Sequence, residues 1–410
     1  MLDNSPRART LRGELPDRRD DVSRACVVVL DACGAGELPD AREYGDTGAN
    51  TLAHLARAAR GLRLPTLQRL GLGSILPLEG VPPAGAPVLH GRLHALGPGK
   101  DSTAGHWELM GVVQERPFPT YPRGFPPEVV DLVVGVSGRE VICNLPYNGI
   151  AAIDDFGARH LETGALIVYT SQDSVLQIAA HEQLVEPGEL YSVCETVRAS
   201  LPTAHAVGRV IARPFAGAPG SFARTDGRRD YATAPPRRSY LNELQDDGVP
   251  VHTVGKVGQL FAGSGVDVQH PGPTNATALD ATTALLQTLE RGFVFTNLIE
   301  TDQVYGHRHD VDGFHRALRE IDAFVGRWLE LLGPRDLLVL TADHGCDVTM
   351  PHTDHTREHA PLLAVFDGHS SARHDGPLSD VGASVLNWLT GRETSALPGQ
   401  PFTRDRSLVG

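Results

Sequence analysis

Three short apolar runs, rich in β-branched residues, each stop at an acidic residue: Ala25-Cys-Val-Val-Val-Leu-Asp31, Phe293-Val-Phe-Thr-Asn-Leu-Ile-Glu-Thr-Asp302 and Asp336-Leu-Leu-Val-Leu-Thr-Ala-Asp343. A strand wet on one face alternates apolar with polar positions, whereas a continuous run predicts a parallel strand buried on both faces. Between Asp312 and Leu332 the spacing changes. Phe314, Leu318, Ile321, Phe324, Val325, Trp328 and Leu332 fall on one face of a predicted helix. Residues 50–59 and 381–389 read the same way, the second with Ser379 or Asp380 as N-cap. Strands alternating with helices predict an α/β fold with a parallel sheet covered by helices on both faces. Ligands gather at the carboxyl ends of such strands, where Asp31, Asp302 and Asp343 would meet.

The middle of the chain is different. From about Arg116 to Pro235, short strand-like runs (140–143, 165–170 and 206–213) are separated by loops rich in Gly, Pro and Arg. This predicts an α+β domain, 116–235, inserted between two parts of the core, 25–115 and 236–410. Residues 1–24 read as a flexible tail. The tail has no apolar segment of a secretory signal, and no apolar stretch approaches the roughly 20 residues of a membrane helix. Of 410 residues, 41% are hydrophobic and 21% charged, enough for a sizeable core. The net charge of −13 argues against a nucleic-acid binder, which needs a basic face. Five cysteines without a CxxC pair predict no disulfide framework and a cytoplasmic location.

The predicted strand ends carry candidate metal ligands: Asp31, Asp302 with His307, Asp343 with His344, and His355. Mixed Asp and His suit Mn, Zn or Fe better than Ca or Mg. Six such residues suffice for two ions about 3.5–4 Å apart, one serving an attacking oxygen and one a leaving or phosphoryl oxygen. Alone, each residue reads better as a helix cap or surface polar group than as a ligand; together they point to a dinuclear centre. Gly99-Lys-Asp-Ser-Thr-Ala-Gly-His-Trp-Glu108 reads as a turn entering a helix. Ser102 there would have backbone N–H groups ready for an anionic phosphoryl group. The alternative is that Ser102 or Thr103 is a plain N-cap.

Longer stretches carry a resemblance. Val28-Val-Leu-Asp-Ala-Cys-Gly-Ala-Gly36, Tyr44-Gly-Asp-Thr-Gly-Ala-Asn-Thr51, Gly99-Lys-Asp-Ser102 and Gly105-His-Trp-Glu108 occur in order. They are followed by Tyr169-Thr-Ser-Gln-Asp-Ser-Val-Leu-Gln-Ile-Ala-Ala-His-Glu182, Val207-Gly-Arg-Val-Ile-Ala-Arg-Pro-Phe215, Tyr305-Gly-His-Arg-His-Asp310, Thr341-Ala-Asp-His-Gly345 and Asp354-His-Thr-Arg-Glu358. On these the chain, from about 25 to 395, resembles the alkaline phosphatase superfamily and within it the bacterial phosphopentomutases.

The resemblance implies an alkaline-phosphatase-like core with an inserted cap, and an isomerase exchanging phosphate between C1 and C5 of ribose or 2-deoxyribose. One ion, most simply Mn2+, would be held by Asp302, His307 and His355. The second would be held by Asp31, Asp343, His344 and the oxygen of Ser102, which stands where the family has its phosphorylated Thr. Arg209 and Arg224 would clamp the substrate phosphate, Asp173 a sugar hydroxyl, and Lys256 would lie at a further phosphate position. Asp173 as a helix cap and Arg224 as a solvated loop residue are the alternatives. A sugar bisphosphate would prime the phosphoenzyme, the partner being a small sugar phosphate and the chain a monomer or weak homo-oligomer. Cys346 replaces the family's usual Asn, and Asn144-Leu-Pro-Tyr-Asn-Gly-Ile-Ala-Ala152 lacks the family's Ser-Gly-Thr-Glu. The altered loop leaves a modified pentose phosphate as alternative substrate. Rival activities on the same metal core are a phosphatase or phosphodiesterase, and a silent sugar-phosphate sensor.

Overall fold

The computed structural model describes residues 23–171, 174–368 and 371–403. Two sheets organise them. The strands in chain order are β1 (Arg24–Leu30), β2 (Leu89–His94), β3 (Val141–Pro146), β4 (Leu166–Thr170), β5 (Val175–His181), β6 (Arg209–Ala216), β7 (Ala223–Arg224), β8 (Arg229–Ala232), β9 (Val251–Val254), β10 (Val268–His270), β11 (Gly292–Leu298), β12 (Asp336–Thr341), β13 (Ala360–Val365) and β14 (Gly376–Pro377).

The first sheet runs β10-β9-β11-β1-β12-β13-β2-β14. Its first five strands are parallel, as the continuous apolar runs predict. β1 lies between β11 and β12, with Arg24 opposite both Gly292 and Asp336, and its residues from Ala25 to Leu30 are all buried. The antiparallel β13 and β2 extend this sheet and were not foreseen. β2, Leu-His-Gly-Arg-Leu-His, breaks its apolar pattern with polar residues, so no continuous run marks it. Arg24 was assigned to the tail, yet it opens β1 and its Nε donates to Asp336 Oδ1 at 2.9 Å. Residues 1–22, the rest of that expected tail, lie outside the described residues.

The predicted long helix spans Val311–Leu331 and buries Phe314, Leu318, Ile321, Val325 and Trp328. The other two predicted helices are Thr51–Ala58, capped by Asn50, and Asp380–Thr390, with Ser379 before it.

The second sheet runs β3-β4-β5-β6-β7, with β8 also on β6, and it is mixed. It has its own apolar interior, split by the sheet. One side gathers Leu166, Val168, Leu176, Ile178 and Val210 with the helix Pro187–Ser200. The other gathers Ile167, Tyr169, Ala179 and Phe215 under the helix Gly149–Thr163. All five cysteines are free. Among the described residues no helix is long and apolar enough to cross a membrane.

Candidate active site

Asp31 follows β1 directly. The next residue, Ala32, takes a left-handed φ of 62°, a conformation that costs energy for a side chain with a Cβ. Asp302 does not end β11, as the apolar run suggested. It lies four residues past Leu298 in a π-helical turn, Thr301–Tyr305, a rare geometry that clusters at functional sites. Asp343 and His344 come just after β12, and His355 lies on the return towards β13.

These six residues converge. His355 Nε2 and His307 Nε2 lie 3.2 and 3.4 Å from the same atom, Asp302 Oδ1. His344 Nε2 lies 3.4 Å from both Asp31 Oδ1 and Asp343 Oδ2. Two trios, Asp302–His307–His355 and Asp31–Asp302–His344, each bring ligand atoms within 4.8 Å of one another. Asp302 therefore belongs to both trios. Asp343 is in neither trio but beside the second.

The donor set fits divalent cations. Three buried carboxylates face one ammonium, Lys256, whose Nζ is 2.9 Å from Asp31 Oδ2. The buried carboxylates thus outnumber the single ammonium, an arrangement costly without further positive charge. Asp31 Oδ1 and Asp302 Oδ1 are buried without a hydrogen-bond donor. Burial and the neighbouring Asp343 push the Asp31 carboxyl above its ordinary pKa. Burial opposes ionisation of Asp302 as well, but His355, His307 and His344 hold it well below the usual carboxylate range. Lys256, although penalised by burial, is raised by Asp31, Asp302 and Asp343.

Ser102 opens the helix Ser102–Leu109 but does not cap it. The N-cap is Asp101, whose Oδ1 accepts from the N–H groups of Thr103 (2.9 Å) and Ala104 (3.1 Å). Those amides are thus taken and not free for a phosphoryl group. The Ser102 hydroxyl instead meets Lys256 Nζ at 3.1 Å and His344 Nε2 at 3.2 Å. Gly105 lets this helix close on the metal residues, since a Cβ there would come within 2.9 Å of the Asp343 carbonyl carbon and closer still to its oxygen.

A cavity of about 1160 Å³ joins Ser102, Lys256, Asp302, His307 and His355 to the second sheet. Its far wall includes Gln177, Arg209, Arg213, Arg228 and Asp230. Arg228 grips Asp230 through Nε (2.7 Å) and Nη2 (2.8 Å), and Arg209 Nη1 lies 3.4 Å from the same carboxylate. Arg213 Nε donates to Gln177 Oε1 at 3.2 Å, and burial presses its guanidinium pKa down to about 10. Two guanidinium groups thus share the Asp230 carboxylate, with a third, that of Arg213, on the same cavity wall held by Gln177. Arg213 and Arg228 were missed in the sequence, although Arg209, Ile211 and Arg213 alternate as one face of a strand must.

Other expectations are not brought together. Arg224 is exposed on β7, beside Tyr169 and Gly149, and does not line the cavity. The altered stretch 144–152 is mostly not a loop: it closes β3 and opens the helix Gly149–Thr163, and it does not line the cavity either. Asp173 lies outside the described residues.

Residues 23–391 match the metalloenzyme superfamily. A phosphopentomutase of Caldanaerobacter subterraneus is 45% identical over 369 residues, covering 89% of this chain and 93% of its own. One of Syntrophotalea carbinolica is 48% identical, covering 83% and 87%. One of Anaeromyxobacter sp. strain K is 46% identical over 385 residues, covering 90% and 99%. With 45–48% identity over most of its length to these relatives, the chain belongs to the phosphopentomutase family of the metalloenzyme superfamily.

Proposed function

We propose that the protein interconverts the 1- and 5-phosphates of ribose or 2-deoxyribose, through a phosphoserine at Ser102 and a sugar bisphosphate. The observation carrying this reading is the placement of the Ser102 hydroxyl, between Lys256 and the His344 corner of the metal residues, on a cavity whose opposite wall is rich in arginine. One ion would be held by Asp302, His307 and His355, the other by Asp31, Asp343, His344 and Ser102 Oγ, with Asp302 reaching towards both. Imidazole with carboxylate favours Mn2+ over Mg2+ as the activator. When bound, the two ions supply Lewis-acid neutralisation of phosphoryl charge and ease deprotonation of a coordinated hydroxyl.

The chain's own groups then act as follows. Phosphoserine 102 gives its phosphoryl group to the free sugar hydroxyl: the P–O bond to Oγ breaks as one to the sugar forms, and the proton the sugar hydroxyl loses ends on the serine oxygen. Lys256 Nζ, 3.1 Å from Oγ, offsets the charge left on the serine oxygen. The resulting bisphosphate turns in the cavity and returns its other phosphate to Ser102, so a catalytic amount of bisphosphate primes the enzyme. Residues 116–235 act as a cap that excludes water, which would otherwise hydrolyse the phosphoenzyme. Arg209 is the favoured clamp for the phosphate not being transferred, joined by Arg213 and Arg228 more readily than by Arg224, which does not line the cavity. Bidentate guanidinium suits a phosphate dianion. The protein acts as a monomer or weak homo-oligomer on a small sugar phosphate, and the free cysteines suit the cytoplasm.

The test is tandem mass spectrometry of protein exposed to a sugar bisphosphate. Phosphate on Ser102 is the expected result; an unmodified Ser102 in a protein that turns over would overturn the mechanism.

A further inference from the structure

His106 and Asn297 are fully buried polar residues that the proposed reaction does not use. His106 lies one helical turn after Ser102, and its Nδ1 is 2.8 Å from the Ser102 carbonyl oxygen. The same nitrogen is 3.1 Å from Asp343 Oδ2. On the other side of the ring, Nε2 is 3.2 Å from Asn297 Nδ2, which in turn is 2.8 Å from Asp31 Oδ2.

The hydrogen positions follow from this geometry. If the Asn297 amide were reversed, its oxygen would face the Asp31 carboxylate, acceptor against acceptor. The Nδ2 group therefore donates one hydrogen to Asp31 and the other to His106 Nε2. A nitrogen that accepts carries no hydrogen, so the imidazole proton sits on Nδ1, where it reaches the Ser102 carbonyl. The circuit then closes: Lys256 Nζ donates both to Asp31 Oδ2 and to the Ser102 hydroxyl. It runs from the Ser102 carbonyl through His106, Asn297, Asp31 and Lys256 back to the Ser102 side chain. Two donors occupy Asp31 Oδ2, while Asp31 Oδ1 has none.

We propose that His106, in its Nδ1–H form, and Asn297 are positioning residues that lock Ser102 to the Asp31–Asp343 half of the metal centre and reserve Asp31 Oδ1 for the cation. The inference rests on the metal centre proposed above. Groups that orient metal ligands in this way typically matter by about 10- to 100-fold in affinity.

The test is calorimetric titration of Mn2+ into metal-depleted wild type, His106→Leu, His106→Asn and Asn297→Ala, each also assayed for kcat and KM. Wild type should show two binding steps. His106→Leu should weaken one of them about 10- to 100-fold, spare the other, and lower kcat with KM for ribose 5-phosphate little changed. His106→Asn, which keeps a donor near the Nδ1 position, should recover most of both losses, although it is smaller than Leu. Asn297→Ala should weaken the same step, and with His106→Asn it carries the test if the Leu variant does not fold. Equal weakening of both steps, no weakening, His106→Asn no better than Leu, or a single Mn2+ step in wild type would each overturn the inference. Metal binding is read without turnover. A protein that shows the selective loss but does not act on pentose phosphates upholds the positioning role and overturns the proposed substrate instead.

Discussion

Replacing Ser102 by Ala removes the only hydroxyl held by both Lys256 and His344 among the described residues. Turnover should fall by about 10³-fold or more, since removing a nucleophile that acts with its neighbours costs nearly the whole of their joint effect. Thr103 is buried one residue further along, and a Ser102→Ala protein acting near the wild-type rate through phospho-Thr103 would refute the assignment. On the far wall, Arg209→Ala and Arg213→Gln should each cost about 1.5–3 kcal/mol, or roughly 10- to 150-fold in kcat/KM, with ribose 5-phosphate. Both should leave hydrolysis of a small aryl phosphate unchanged, and Arg224→Ala should cost far less. Equal losses on the two substrates would show a structural role instead. Of the metal candidates, Asp31, Asp343 and His344 were legible because residue type and position directly after an apolar run coincided. Asn297 was not, since within Phe293–Leu298 it reads as a polar interruption of a buried strand, and only its contacts with Asp31 and His106 give it a purpose.

The helix Ser102–Leu109 carries Ser102, the proposed nucleophile, and rests against Asp343 through Gly105. Gly105→Ala would force this helix away from Asp343, and a misplacement of about 1 Å can cost a hundredfold in rate. The expected outcome is a folded protein of unchanged helix content with kcat reduced on that order; a wild-type kcat would mean that the helix position is not limiting. Asp101→Ala removes the N-cap and should lower stability by about 1 kcal/mol, read as a shifted denaturation midpoint, with Asp101→Ser recovering most of it. At this scale the parallel strands and the three predicted helices were readable from periodicity. The π-turn at Thr301–Tyr305 was not, because a local bulge follows from tertiary demands around Asp302 and leaves no periodic mark. The split of Arg209 and Arg224 was equally hidden: both lie in one basic stretch, and only strand pairing sends one to the cavity and the other to β7.

Across the whole molecule, the first sheet concentrates negative charge at the ends of its strands and the second presents positive charge across the cavity. Stripping the metals should therefore destabilise the fold as well as silence it. A ligand that binds only the folded state contributes about 2.7 kcal/mol at a hundredfold excess over its Kd, so chelation should lower Tm and added Mn2+ should restore it. A Tm indifferent to chelation would contradict a cation at the buried carboxylates. The two-sheet plan was visible as a change from apolar runs to a Gly-, Pro- and Arg-rich middle, but the way the two sheets share a cavity depends on contacts far apart in sequence. The central claim is that phosphate moves between two positions of one sugar without escaping to water. Phosphorus NMR of the Mn2+-loaded protein with ribose 5-phosphate and a trace of sugar bisphosphate tests it most directly. The account predicts a growing ribose 1-phosphate signal at constant total sugar phosphate; accumulation of inorganic phosphate in its place, or no change at all, would contradict it.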